Sequence, residues 1–150
     1  MTPESSFLLN KASKYCAVSE RCVMDVKQKL RQWKAEDHTV QKIINQLEKD
    51  DFLNEERYAK AFAVGKLRHN KWGINKIIYA LQAKHIPDLY IQIGIGEIDE
   101  EEYLNTLKAV LSSKIIEEKE QWKKNNKLVN YAVQKGYQAD LCWKIIKGEL

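Results

Sequence analysis

The chain has 150 residues, 31% of them charged, a formal net charge of +4, and only two prolines and six glycines. That length supports one full hydrophobic core and is marginal for two independent ones. So few chain breakers disfavour sandwiches, barrels and disordered linkers and favour helices.

Taken in order, the segments read as helices. From about Ser5 to Cys16, Phe7, Leu8, Ala12 and Tyr15 make a short amphipathic stripe. Ser19 is the expected N-cap of the next helix, where Val23, Val26, Leu30 and Trp33 recur at helical spacing. Asp37 is the expected cap of a third, whose Val40, Ile43, Ile44 and Leu47 fall at i, i+3, i+4 and i+7. Asn54 precedes a fourth, with Glu55 and Glu56 in the first turn, where the helix dipole favours acids, and Tyr58, Ala59, Phe62 and Ala63 on its buried side. After the Trp72-Gly73 turn, Ile74, Ile77, Ile78 and Leu81 repeat the same spacing, and a short helix from Leu89 fades at Gly94 and Gly96. The acidic run from Asp99 to Glu102 opens a longer helix with Tyr103, Leu104, Leu107, Val110 and Leu111, whose continuation from Lys114 to Trp122 is charged. Leu128, Val129, Ala132 and Val133 mark the next helix, and Leu141, Trp143, Ile145 and Ile146 the last.

Two internal periods compete. A shift of 34 superposes Val40 to Phe52 on Ile74 to Ile86 but yields no third copy. A shift of 51 superposes Val26, Ile77 and Leu128, then Leu30, Leu81 and Ala132, then Ala35, Ile86 and Tyr137. This register tiles the chain, with extra residues between the first and second helices of the third unit. The expected fold is therefore all-α, a tandem repeat of three three-helix units forming an elongated, curved body, divided at 1–53, 54–98 and 99–150.

The N-terminal MTPESSFLLNKASKYC has no basic start leading into an apolar run, and no stretch approaches the roughly 18 apolar residues of a membrane span. Cys16, Cys22 and Cys142 lack a CxxC pairing and read as buried thiols, so a cytoplasmic setting is expected. His38, His69 and His85 have no Cys, Asp or Glu at metal-ligand spacing. Gly94-Ile95-Gly96 lacks the lysine and third glycine of a phosphate loop. A protein without catalytic residues, metal or cofactor is expected.

The positive signal is a charge imbalance. From Arg57 to Pro87 the chain carries Arg57, Lys60, Lys66, Arg68, Lys71, Lys76 and Lys84 and no Asp or Glu, in a protein whose total is +4. A helical wheel puts Arg57, Lys60 and Arg68 opposite Tyr58 and Phe62. Lys76 and Tyr79 point away from the isoleucine stripe, Lys84 lies at its flank, and Lys71 and Trp72 sit in the turn. Cations interleaved with aromatics grip phosphates and stack on bases. The competing reading is a solvated lysine face, with Trp72 plugging the seam between two helices.

These residues also carry a family resemblance. RCVMDVKQKL (21–30) is similar to the R-S-x-x-E-L-x-x-K-L opening of RecX regulatory proteins. FLNEERYAKAF (52–62) and KWGINKIIYALQAKHI (71–86) resemble their (Y/F)-L-D-D-x-R-(F/Y)-A-x-x-F and G-x-x-(K/R)-I-x-x-x-L-x-x-K-G-I segments. The chain departs from the family pattern at Asn54-Glu55, at Trp33-Lys34-Ala35 in place of K-G-F, and at His85 in place of glycine. The resemblance implies an all-helical cytosolic regulator in DNA repair, recombination and the SOS response. Such proteins bind the RecA–DNA filament and suppress its ATPase and strand exchange. A monomer is expected, with direct DNA contact through the basic central unit. The alternatives are a stand-alone DNA-binding helical protein and a helical scaffold or accessory subunit that meets no nucleic acid.

Overall fold

A computed structural model describes residues 1–150 as nine α-helices and no strand. They are α1 (Pro3–Val18), α2 (Val23–Gln32) and α3 (Asp37–Lys49); α4 (Glu55–Asn70), α5 (Ile74–Ala83) and α6 (Asp88–Gly96); and α7 (Glu100–Ser113), α8 (Gln121–Gln134) and α9 (Ala139–Ile146). Every substantial helix–helix contact lies inside one of these groups of three. Each group closes on its own apolar cluster, around Leu30, Ile43 and Leu47, around Ala59, Ile77 and Leu81, and around Leu107, Ala132 and Cys142. Two fully buried side chains cross between groups, Cys22 into the second cluster and Leu67 into the third, and the half-buried Met24 and Ile74 pack across beside them. The second cluster thus separates the first from the third, and the fold is a tandem array of three-helix units.

Within the second unit α6 lies directly on α4. A Cβ on Gly94 would stand 2.7 Å from the Ala59 carbonyl oxygen, so only glycine allows this approach. The 51-residue repeat appears as a repeated helix ending. Backbone N–H groups of Ala35, Ile86 and Tyr137 donate to the carbonyls of Leu30, Leu81 and Ala132 at 3.0, 3.2 and 3.1 Å. Each bond closes a left-handed C-terminal motif at Lys34 (φ 63°), His85 (φ 58°) or Gly136 (φ 104°). Only the third unit uses the residue that takes this conformation freely. Lys34→Gly and His85→Gly are therefore expected to stabilise the protein by about 0.5–1 kcal/mol each, read as a higher urea midpoint. A lower midpoint would mean that the side chains at 34 and 85 contribute more than the strain removes.

Several local expectations shift. Phe7 is 63% exposed, because Leu8, Ala12 and Cys16 form the buried stripe of α1 one residue further round. Ser19 ends α1 rather than capping α2; Cys22 holds the N-cap position, and the Glu55 carboxylate accepts from the Val23 N–H at 3.0 Å. Glu36 precedes α3 and Asp37 is its first residue. Asn54 caps α4, its Oδ1 accepting from the Arg57 N–H at 2.9 Å. The helix opened by Asp99 stops at Ser113; residues 114–120 are a connector and Trp122 lies in the first turn of α8. Ile115 there is 85% exposed, since the acids and lysines that follow it supply no apolar stripe to bury a further turn. Val133 faces outward as well.

Candidate nucleic-acid interface

The acid-free stretch from Arg57 to Pro87 is met by acids from elsewhere in the chain. Arg57 Nε donates to Glu20 at 2.6 Å, and its guanidinium also reaches Asp51 at 3.2 Å. Lys84 Nζ donates to Asp25 at 2.7 Å, and Arg68 Nε donates to Glu102 at 2.7 Å. Lys60 lies 3.7 Å from Glu97 and 4.0 Å from Glu56. Four of the expected binding residues, Arg57, Lys60, Arg68 and Lys84, are thus placed in ion pairs. Arg57 and Lys84 join the second unit to the first, and Arg68 joins it to the third. Tyr79 is 74% exposed on the outer face of α5.

The pairs set the chemistry of the first seam. Burial pushes the Asp25 carboxyl up, but hydrogen bonds from Lys84 and Cys22 and the Lys84 charge outweigh it, leaving Asp25 below its ordinary 3.8. The hydrogen bond to Asp25 raises Lys84 in turn. Burial raises Glu55 despite the bond from Val23, and lifts the Cys22 thiol to about 11. A carboxyl lowered by folding stabilises the protein above pH 3.8, and that contribution disappears as pH falls through the lowered folded value. Asp25→Asn is accordingly expected to cost about 1 kcal/mol at neutral pH. Its gap from wild type should close in acid, below Asp25's own titration. Thermal melts across that range check this; a gap independent of pH would show that the carboxylate charge is not what stabilises the seam.

Three lysines of this stretch remain outside any ion pair: Lys66, Lys71 and Lys76. They gather at the α4–α5 turn. The Lys66 and Lys76 ammoniums lie 4.7 and 4.6 Å from the centroid of the Trp72 ring. Phe62 stands edge-on to Trp72 at 6.3 Å, and Tyr58 lies behind it at 5.7 Å. Trp72 is half-buried, so it packs the turn and also holds two lysines, each cation–π contact contributing about 0.5–1 kcal/mol.

The third unit fixes this turn in place. Lys71 takes the left-handed conformation, and its carbonyl accepts from the Tyr137 hydroxyl at 2.8 Å. Gly73 and Asn75 N–H groups donate to the carbonyls of Lys135 and Gly136 at 2.8 and 2.9 Å. The Tyr103 hydroxyl accepts from the Ile74 N–H at 3.1 Å and donates to Gln138 at 2.7 Å; burial lifts it to about 12. The second seam thus rests chiefly on bonds to backbone groups, with the Arg68–Glu102 pair beside them, whereas the first rests chiefly on ion pairs.

The structure therefore brings together Trp72 and Lys76 and adds Lys66, which the helical wheel left out, while Lys71, at the end of α4, lines a neighbouring cleft with Arg68, Asp99 and Glu101. Its signal is the spacing Phe62-Lys66, which sets the ammonium 5.4 Å from the Phe62 ring on the same helical face. No group of three or more His, Cys, Asp or Glu side chains is arranged to hold a metal ion, and no helix is long and apolar enough to cross a membrane.

Residues 54–93, which hold α4, α5 and most of α6, match the family model described as "RecX, second three-helix domain". The chain is 30% identical over 127 residues to the regulatory protein RecX of Clostridium perfringens (strain 13 / Type A), covering 82% of this chain and 59% of that one. It is 24% identical over 131 residues to that of Prosthecochloris aestuarii, covering 87% and 85%. The chain thus spans 59% of the length of the Clostridium relative. The crystal structure of RecX from Lactobacillus salivarius superposes with a TM-score of 0.82 at 21% identity, over 99% of this chain and 97% of that one. A second crystal structure of regulatory protein RecX gives 0.86 at 16% identity, over 96% and 73%. Motifs, relatives and fold agree, and the chain belongs to the RecX family of regulatory proteins.

Proposed function

We propose that the protein binds the filament that the RecA recombinase forms on DNA and lowers the ATPase and strand-exchange activity of that filament. The observation that carries this reading is the turn where Lys66 and Lys76 lie over Trp72, with Lys71 next to it in the chain and none of the three in an ion pair, in a chain of the RecX family. Phosphates meet the ammoniums, and the exposed part of the indole is available to a base. The units 1–53, 54–98 and 99–150 spread the contact along the filament, with the central unit at the DNA and Tyr79 beside it. Arg57, Arg68 and Lys84 serve the interface by holding the units in register, and Lys60 by tying α4 to the end of α6 within the central unit.

The test is co-sedimentation of the protein with recombinase filaments on single-stranded DNA, with bare DNA as control, over a range of salt. A binder of phosphate alone loses affinity steeply, with a slope of about −0.7 per neutralised phosphate on single-stranded DNA. A filament binder retains affinity where bare DNA no longer holds it. Equal loss on both would favour a stand-alone DNA-binding protein.

A further inference from the structure

A groove of about 450 Å³ opens where α5, α6, α7 and α9 meet, walled by Ile74, Ile95, Ile98, Leu104 and Leu141. We infer that this groove receives an apolar side chain flanked by lysine or arginine, presented by a protein subunit of the filament. The inference rests on the proposed function and assigns the protein contact, as distinct from the DNA contact, to a separate surface.

Polarity dictates the first half of the assignment. The polar atoms in the floor are already partnered, the Tyr103 hydroxyl by Ile74 and Gln138, and no buried side-chain polar atom lacks a partner. An entering group therefore gains from apolar contact with the walls and finds no unsatisfied donor or acceptor to bind. Charge dictates the second half. Glu100 stands at the rim and takes part in no ion pair, whereas Glu102, half a turn further on, is held by Arg68. A free carboxylate at an apolar mouth repels a phosphate backbone and attracts a cationic flank.

Gly96 keeps the mouth open. A Cβ added at Gly96 meets no atom within 4 Å, unlike one added at Gly94, where the Ala59 backbone blocks it. Packing inside the chain does not require a glycine at 96, and because Gly96 is part of the groove's lining, a larger side chain there adds bulk at the mouth. The walls are also fixed in advance of binding, because the Gly73–Lys135 and Asn75–Gly136 backbone bonds join the units that form them.

Gly96→Leu plugs the groove and Glu100→Lys reverses its rim. Both are tested in the full chain by co-sedimentation with recombinase filaments on single-stranded DNA, by fluorescence anisotropy on a bare oligo(dT) strand, by thermal melting and by size-exclusion chromatography. Gly96→Leu is expected to melt no lower than wild type, since leucine favours a helix end that glycine does not. Each variant should bind filaments at least about ten-fold more weakly, the loss expected when one buried anchor of an interface is removed. Affinity for the bare strand should stay within about two-fold, since neither residue is in the lysine cluster. Variants that bind filaments like wild type would overturn the groove assignment and leave the proposed function intact. Wild type that binds filaments no better than bare DNA would overturn the proposed function, and the assignment with it. Equal loss on filament and bare strand would make the groove a nucleic-acid surface. A wild-type dimer broken by the plug would make its occupant a second copy of this chain. Either of those results also overturns the assignment.

Discussion

Reversing Lys66, Lys71 and Lys76 to glutamate is expected to weaken binding to single-stranded DNA and to recombinase filaments by about 100-fold or more, through three lost phosphate contacts and the repulsion that replaces them. Suppression of the recombinase ATPase should be lost with it. The helical signal should survive, because these side chains reach solvent and exposed changes usually stay within about 0.5 kcal/mol each; loss of the Trp72 contacts adds a little to that. The salt dependence of the remaining binding should be shallower than that of wild type. Lys119, Lys123 and Lys124 reversed together change the net charge equally, but lie in the connector after α7 and the first turn of α8. If both triple variants lose binding to the same degree, total charge is responsible and the turn is not the site. If neither does, the contact lies elsewhere. Arg68→Glu and Lys84→Glu provide a further contrast. Each breaks an ion pair between units, so each should lower stability first and binding only as a consequence.

The distinction between paired and free cations could not be read along the chain. The stretch from Arg57 to Pro87 contains no acid, yet Glu20, Asp25 and Glu102 reach it from the neighbouring units. A helical wheel places residues on one helix and is blind to what packs across a seam. The helices themselves were legible, because Val40, Ile43, Ile44 and Leu47 can be buried together only on one helical face. The 51-residue repeat was legible for the same reason, and it led to the helix endings at Lys34, His85 and Gly136. Where apolar and flanking residues both offered a stripe, as at Phe7 and Leu8, the period alone did not decide which faced inward. The groove was out of reach altogether, since its walls come from four helices and no single segment shows it. Trp72 lay between the two readings considered for it: it is a packing residue and also the surface that holds Lys66 and Lys76.

The largest stability effect is expected at Gly73→Ala. Its backbone lies at φ −79° and ψ 166°, a conformation alanine adopts without strain, so the substitution taken alone would favour the folded state through the unfolded chain's entropy. The seam reverses that sign. A Cβ at 73 would stand 2.3 Å from the Gly136 carbonyl carbon, 2.4 Å from the Tyr137 nitrogen and 2.5 Å from the Gly136 oxygen. All three are backbone atoms, and no side-chain rotation relieves the contact. The second and third units must part, which breaks the bonds from Gly73 to Lys135 and from Asn75 to Gly136. We expect a loss of about 2–4 kcal/mol, the sum of overpacking and two backbone hydrogen bonds left without partners. Gly65→Ala is the matched control. It lies within α4, where an added Cβ comes no closer than 4.0 Å to His69, and it should stabilise by about 0.5–1 kcal/mol. Urea unfolding of the two variants separates helix propensity from seam packing. The same parting displaces the turn that carries Lys71 and Trp72, so Gly73→Ala should also weaken DNA binding without altering a single charge. A Gly73→Ala protein that unfolds at the wild-type midpoint would show that the backbone junction does not hold the two units together, and that the lysine cluster is not fixed by the third unit.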